Sequence, residues 1–245
     1  MSDRSTQLRR RRAIRWVVAL TVVAVVVVTG YVSARPPVEP PHPRPEHPAD
    51  KVACGGTEPP APSPGSYPSP AAVLDAGVDY GAVIHTSCGD VTVDLLEDDA
   101  PANVNNFVFL AREHFYDGLQ FFRIEANSVI EAGDPNDVVF DPPDGPGYTI
   151  PDELPKEPND YTLGAVGMAN EGRPNTGGSA FFIVVHENRP AGYQTAYSLF
   201  GRVDESSFET LKEISLVPTH GGDQPLEAVR PVTPVYIESI EITEN

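Results

Sequence analysis

Arg123 stands in the run Phe121-Phe122-Arg123-Ile124, a permanent cation set into an apolar, strand-like stretch. A guanidinium held against an apolar surface can stabilise charge that develops in a transition state, or it can pair with a carboxylate at a sheet edge. Residue type alone leaves both readings open. Other chemistries fall away more readily. Gly172-Arg173-Pro174-Asn175-Thr176-Gly177-Gly178-Ser179 is close to a phosphate-binding loop, but Gly178 occupies the lysine position. The loop also runs into Phe181-Phe182-Ile183-Val184-Val185, a strand pattern, whereas phosphate needs a helix N-terminus there. The 6 histidines are scattered without a metal-binding pair. Asp134, Asp137, Asp141 and Asp144 lack the calcium-loop pattern and read as a solvated acidic loop, with a calcium site as the weaker alternative. No Gly-x-Ser-x-Gly elbow is present, and no nucleophile stands out.

Short strands dominate the elements that must position Arg123. Residues 82–86 and 91–95 flank a Ser87-Cys88-Gly89 turn, and Val91, Val93 and Leu95 alternate with Thr92 and Asp94, as in a half-buried hairpin. Further strand-like runs cover 120–124, 128–132, 163–169, 181–185, 198–203 and 235–243. In the last, Val235 and Ile237 are out of phase with Ile240 and Ile242, which predicts a bulge near Glu238. Pro101 opens a helix with Val104, Phe107, Val108 and Ala111 on one stripe. A second helix is predicted to start at Ser206, with Glu209 completing a capping box and Phe208 and Leu211 buried. Many short strands, two helices and Gly/Pro-rich loops predict a mainly β fold, a closed barrel capped by helices.

Charge and proline usage divide the rest of the 245 residues. The net charge is −18, yet residues 1–35 hold seven arginines and one aspartate, which leaves −24 for 36–245. A body so acidic is repelled by phosphate backbones, so nucleic-acid binding is excluded. Residues 16–34 form an uncharged apolar stretch behind Arg9, Arg10, Arg11, Arg12 and Arg15. As a helix it would span roughly 28 Å, close to the hydrocarbon thickness, with the basic flank cytoplasmic. This predicts a signal-anchor helix, with a cleaved signal peptide ending at Ala34 as the alternative. Of 27 prolines, 13 lie between Pro36 and Pro70. They predict a stiff extended spacer, or less readily a ligand for a proline-binding module. The predicted organisation is a basic tail over 1–15, an anchor over 16–34, a stalk over 35–79 and a domain over 80–245. Cys54 and Cys88 either form a disulfide that pins the stalk's end to the domain or remain free thiols.

Taken in order, eight segments sharpen the reading of Arg123. They are Asn105-Asn106-Phe107, Phe115-Tyr116-Asp117-Gly118, Phe121-Phe122-Arg123-Ile124, Ala132-Gly133-Asp134-Pro135, Gly147-Tyr148-Thr149-Ile150-Pro151-Asp152-Glu153, Met168-Ala169-Asn170, the stretch from Pro174 through Gly177-Gly178-Ser179-Ala180 to Phe182, and Phe200-Gly201-Arg202-Val203. Their order and spacing resemble the cyclophilin family of peptidyl-prolyl cis-trans isomerases, over about 80–243. The resemblance implies an eight-stranded antiparallel barrel closed by a helix at each end, with no cofactor. It also implies that Arg123 is the catalytic arginine and that Phe182 floors the proline pocket. Ala169 and Asn170, with Met168 beside them, match the stretch that pairs with the peptide backbone.

Such a site needs no nucleophile. Partial double-bond character gives the X–Pro amide a barrier of about 20 kcal/mol. In the twisted transition state the nitrogen regains its lone pair, and an arginine can donate to it or hold the carbonyl oxygen.

The chain departs from the family pattern at several positions. The family's F-H-R-x-x-P-G-F-M-x-Q-G-G-D reads here F-F-R-I-E-A-N-S-V-I-E-A-G-D. Ser128 stands for a pocket phenylalanine, Val129 for a methionine and Glu131 for the glutamine supporting the arginine. Ala180 replaces another glutamine, and Tyr197 aligns with the pocket histidine. The tryptophan tied to cyclosporin binding has no counterpart in Ala191-Gly192-Tyr193-Gln194; the only tryptophan is Trp16. Glu131 is expected to pair with Arg123, orienting it while competing with substrate. The expectation is a monomeric, membrane-tethered isomerase acting outside the cytoplasmic membrane on proline-containing segments of exported polypeptides. It should be slower or more selective than a typical member and poorly sensitive to cyclosporin. The rival expectation is a proline-peptide binding or scaffold module of low turnover.

Overall fold

Period-two burial builds the sheet. The strands are β1 (Tyr80–Thr86), β2 (Gly89–Leu95), β3 (Phe121–Ile124), β4 (Val129–Ala132), β5 (Ala165–Met168), β6 (Phe181–Val184), β7 (Leu199–Val203) and β8 (Ile237–Glu244). In β2, Val91, Val93 and Leu95 are buried while Thr92 and Asp94 are exposed, as the alternation requires. The computed structural model describes residues 52–136, 145–156, 160–186 and 196–245, all within the unit running from Arg44 to Asn245.

All eight strands form one antiparallel sheet in the order β3-β4-β6-β5-β7-β2-β1-β8. The sheet curls into a half-barrel and not the closed barrel expected. Its outer strands β3 and β8 form no ladder, and residues 118–121 and 235–237 join at a seam. Phe121 N–H donates to Val235 O at 2.9 Å, Ile237 N–H to Leu119 O at 2.8 Å and Gly118 N–H to Ile237 O at 2.8 Å, around a Gln120↔Tyr236 bridge. The closure is thus a short stitch and not a continuous ladder, because β8 is committed to β1 from Ile237 onward. His85 pairs with Ser239 but Thr86 with Ile237, so Glu238 is the extra residue of the expected bulge.

The inner face of the curl holds the main core. Phe107 stands at its centre, with ring centroids 5.4 Å from Tyr116, 5.6 Å from Phe181 and 5.1 Å from Phe200. Phe107 comes from α1 (Pro101–Arg112), where Pro101 lies in the first turn and loses no hydrogen bond. The Glu153 carboxylate accepts from Ala102 N–H at 3.1 Å and Asn103 N–H at 2.9 Å, capping this helix from outside the local sequence. The second helix, α2 (Phe208–Ser215), buries Leu211 and Ile214 against the sheet. It does not begin with the expected Ser206 box. Asp204 accepts from Ser206 N–H at 2.9 Å and from its hydroxyl at 2.5 Å, capping a 3₁₀ turn over Glu205–Ser207 that leads into α2. A carboxylate is the better acceptor, so the cap falls two residues earlier. A short third helix, α3 (Pro225–Ala228), was not expected.

The spacer expected over 35–79 is not free over its described part. Residues 52–79 form a strap against the domain. Cys54 is disulfide-bonded to Cys88, and Ala53 N–H donates to Pro234 O at 3.0 Å. Tyr67 packs edge-on against Phe109 with centroids 5.0 Å apart. Asn105 holds the far end, accepting from Val73 N–H at 2.9 Å and donating to Ala71 O at 2.8 Å. The packed domain therefore reaches back to at least Val52, because proline-rich chain can still donate its few amides and bury its rings. The anchor span 16–34, the stalk residues 35–51 and Asp137, Asp141 and Asp144 lie outside the described residues. Among the described residues no helix is long and apolar enough to cross a membrane.

Candidate functional site

Arg123 reaches the outer face of the sheet because β3 is bulged. Phe121 pairs with Ala132 and Arg123 with Glu131, so Phe122 is an extra residue. Plain alternation would place Arg123 on the same face as Phe121, inside the core. The bulge reverses the phase, sending Phe121 and Ile124 inward and Arg123 outward. Arg123, Glu131, Phe182 and Gly167 then line up across four strands on one row.

Two carboxylates hold the guanidinium. Its Nη1 donates to Glu131 Oε2 at 2.8 Å. Nη2 and Nε donate to Glu125 Oε1 at 2.9 and 3.2 Å. These three bonds leave two of the five N–H donors of an arginine. Burial works against the charge on Arg123, but Glu131 and Glu125 more than offset it, and its pKa is raised. Glu131 is 8% exposed. Burial pushes its pKa up, Arg123 opposes the rise and Glu125 adds to it, so the net direction is upward. Glu131 thus pairs with Arg123 as expected from sequence. Glu125 was missed, although its place two residues beyond Arg123 signals a shared face of a strand.

Beside the arginine lies a second apolar cluster, separate from the main core. It contains Val129, Tyr161, Ala165, Phe182, Val184 and Leu199, with Ala169 and Tyr197 packed against it. The Phe182 ring lies over Gly167, where a Cβ would stand 2.3 Å from its Cζ. Tyr197 meets Phe182 edge-on at 5.3 Å between centroids. Tyr161, buried below, donates its hydroxyl to Tyr197 O at 2.7 Å and accepts from Tyr197 N–H at 3.2 Å. The result is an aromatic shelf a few residues wide next to a cation.

A cavity of about 70 Å³ adjoins the shelf past Glu131, with Phe122, Tyr148, Ala169, Asn170 and Ala180 among its walls. Ala169 N–H donates to Ala180 O at 2.9 Å, while Asn170 Nδ2 donates to Ala196 O at 2.8 Å and its Oδ1 accepts from Gly172 N–H at 3.0 Å. Of the residues expected at the site, Arg123, Glu131, Val129, Phe182, Tyr197, Ala169 and Asn170 come together. Met168 does not, since its side chain belongs to the main core on the opposite face. Sequence reasoning also missed Tyr161, Tyr148 and Gly167, whose parts depend on long-range pairing.

The family model for cyclophilin type peptidyl-prolyl cis-trans isomerase/CLD matches residues 82–242. The chain belongs to this cyclophilin family. It is 36% identical over 182 residues to peptidyl-prolyl cis-trans isomerase A of Mycobacterium tuberculosis, covering 66% of this chain and 91% of that protein. It is 42% identical over 102 residues to a peptidyl-prolyl cis-trans isomerase of Helicobacter pylori, covering 42% of this chain and 60% of that protein. Against a putative bifunctional phosphatase/peptidyl-prolyl cis-trans isomerase of Streptococcus pyogenes it is 37% identical over 186 residues, 65% of this chain but only 38% of that protein. The chain thus spans well under two thirds of the length of some relatives. A Cryptosporidium parvum cyclophilin crystallised in the presence of the dipeptide Ala-Pro superposes with a TM-score of 0.58 at 28% identity, covering 67% of this chain and 99% of that one.

As a cyclophilin the chain keeps the fold. Ser128 sits in the β3–β4 turn, donating from its N–H to Glu125 O at 2.9 Å, where it presents little apolar surface. Ala180 is small and leaves the cavity open beside Glu131. Residues 191–194, which hold no tryptophan, lie outside the described residues.

Proposed function

We propose that this cyclophilin catalyses cis-trans isomerisation of X–Pro bonds through Arg123, without covalent chemistry. The observation that carries the reading is the row Arg123–Glu131–Phe182–Gly167, which sets a cation beside an aromatic shelf flat enough to receive a proline ring. Proline lies on Phe182 with Tyr197 and Val129 at its sides. The remaining Arg123 donors reach the amide as it twists, favouring the transition state over both planar forms. Asn170 and Ala169 border the peptide's path. The substrates are proline-containing segments of exported polypeptides, and the protein works as a monomer outside the cytoplasmic membrane, tethered by residues 16–34 or secreted after their removal. The basic flank and the apolar length of that span support this placement.

One observation favours a second reading, a proline-binding module of low turnover: three N–H groups of Arg123 are already committed to carboxylates. A coupled isomerisation assay on a proline tetrapeptide decides between them. Wild type should exceed the uncatalysed rate, and Arg123→Ala should lose most of the excess. Equal background rates for both proteins would sink the enzyme reading.

A further inference from the structure

The cavity past Glu131 has one wall that the sheet does not hold. Gly145, Tyr148 and Thr149 of the 145–149 segment line it, and Gly178, Ser179 and Ala180 border the same cavity. On one side α1 secures the wall: Tyr148 donates its hydroxyl to Asn106 Oδ1 at 2.7 Å, and Asn106 Nδ2 donates to Gly178 O at 2.7 Å, so one buried amide ties both walls together. At its carboxyl end Ile150 N–H donates to Gly177 O at 2.8 Å, and on the remaining side the support comes from the N-terminal strap. Tyr67 N–H donates to Pro146 O at 2.8 Å. Gly147, at φ +91°, approaches so closely that a Cβ would stand 2.6 Å from Ser66 Oγ and 3.0 Å from Tyr67 O. Tyr67 itself is held by its edge-on contact with Phe109 of α1 and by a hydrogen bond between its hydroxyl and Glu113. None of the strap lines the cavity, so it acts on it through the wall alone.

We infer that Tyr67 is a positioning residue: the strap sets the 145–149 wall and thereby the grip on peptide residues that extend beyond proline into the cavity. The inference rests on the isomerase reading for its substrate, but its structural half does not. A strap that is pinned by Cys54–Cys88 at one end and by Asn105 at the other gives Tyr67 a defined place from which to hold the wall. Its loss would loosen the wall while leaving the Arg123 row and the Phe182 shelf in place, since these are built on β-strands.

The test uses the full chain with Tyr67→Ala and Tyr67→Phe. Amide hydrogen exchange over 145–149 should quicken about three- to tenfold in Tyr67→Ala. It should return most of the way to the wild-type rate in Tyr67→Phe, which keeps the edge-on ring but loses the hydroxyl's bond to Glu113. With an octapeptide long enough to fill the cavity, KM should rise by a similar factor at unchanged kcat. With a tetrapeptide carrying the same X–Pro bond, neither should move. Protection of β5 and β6 amides serves as the fold control; if Tyr67→Ala loses it, Tyr67→Leu takes its place with the same expected outcomes. Unchanged exchange over 145–149 in Tyr67→Ala would overturn the inference, as would an equal KM rise for both peptides. If wild type turns over neither peptide, the isomerase reading fails while the exchange result still decides the role of Tyr67.

Discussion

The ring of Phe182 rests on the bare backbone of Gly167, so close that a methyl group on Gly167 would stand 2.3 Å from Phe182 Cζ and 2.7 Å from Cε1. The two residues are register partners on β6 and β5. A glycine at this point is what lets the aromatic ring lie against the sheet.

Gly167→Ala should therefore tilt Phe182 off the sheet without unfolding the domain. Overpacking of this kind costs about 1–3 kcal/mol. The expected result is a lowered melting temperature and a KM for proline peptides raised roughly tenfold or more. A crystal structure of the variant with the ring unmoved would contradict the assignment of Gly167.

Glu131→Gln should raise turnover at neutral pH by releasing Arg123 Nη1 from its carboxylate. The pH dependence has a defined sign. Burial raises the Glu131 pKa above its ordinary 4.5, with Arg123 opposing. Falling pH protonates Glu131 and weakens its ion pair, so wild-type kcat/KM should climb on acidification from neutrality toward that raised value. Above it, the ionised form costs stability, so Glu131 stabilises the fold most when protonated, and that contribution fades as pH rises through the folded-state pKa. Glu131→Gln should show a flat profile over the same range. If its activity instead falls below wild type, Glu131 is an aligning part of the site and not a brake.

Tyr161→Phe removes the hydroxyl that satisfies both backbone groups of Tyr197. Leaving such groups unpaired costs about 1–3 kcal/mol. Tyr197 should then lose its fixed contact with Phe182. KM for proline peptides should rise several-fold while kcat changes little, with Tyr197 aromatic resonances broadened in NMR spectra.

Reduction of Cys54–Cys88 should destabilise the domain. The cysteines are separated by 34 positions. In the chain-entropy model a loop of that size is worth about 3–4 kcal/mol. Thermal unfolding with and without reductant should differ by several degrees, and Cys54→Ser/Cys88→Ser should match the reduced wild type. Identical unfolding under both conditions would mean that the strap's other contacts carry its attachment.

The sheet and both long helices were legible because burial follows period two in β2 and a single stripe in α1. The Glu238 bulge was legible for the same reason: a phase change between apolar residues survives in the sequence. The bulge at Phe122 was not, because Phe121, Phe122 and Ile124 are all apolar and carry no phase. The pairing of Arg123 with Glu131 could be anticipated from an ordered motif, whereas Glu125 needed the strand geometry. The pinning of the spacer's end by Cys54–Cys88 was legible. The further packing of residues 52–79 was not, because proline content reports backbone stiffness and missing amides. It says nothing of Tyr67 finding Phe109, or of Asn105 catching Val73 N–H. Met168 was drawn toward the site by its neighbours in sequence, yet in a strand the neighbour of an outward residue points inward.

The seam between β3 and the 229–237 segment bears on how this domain can meet unfolded chains. Ile124 N–H is taken by Val229 O at 2.8 Å and Phe121 N–H by Val235 O at 2.9 Å, so these inward-strand amides of β3 are already capped by the protein's own backbone. An extended polypeptide arriving at that margin finds no template on which to add itself as another strand. The domain is thereby kept from seeding cross-β growth along β3.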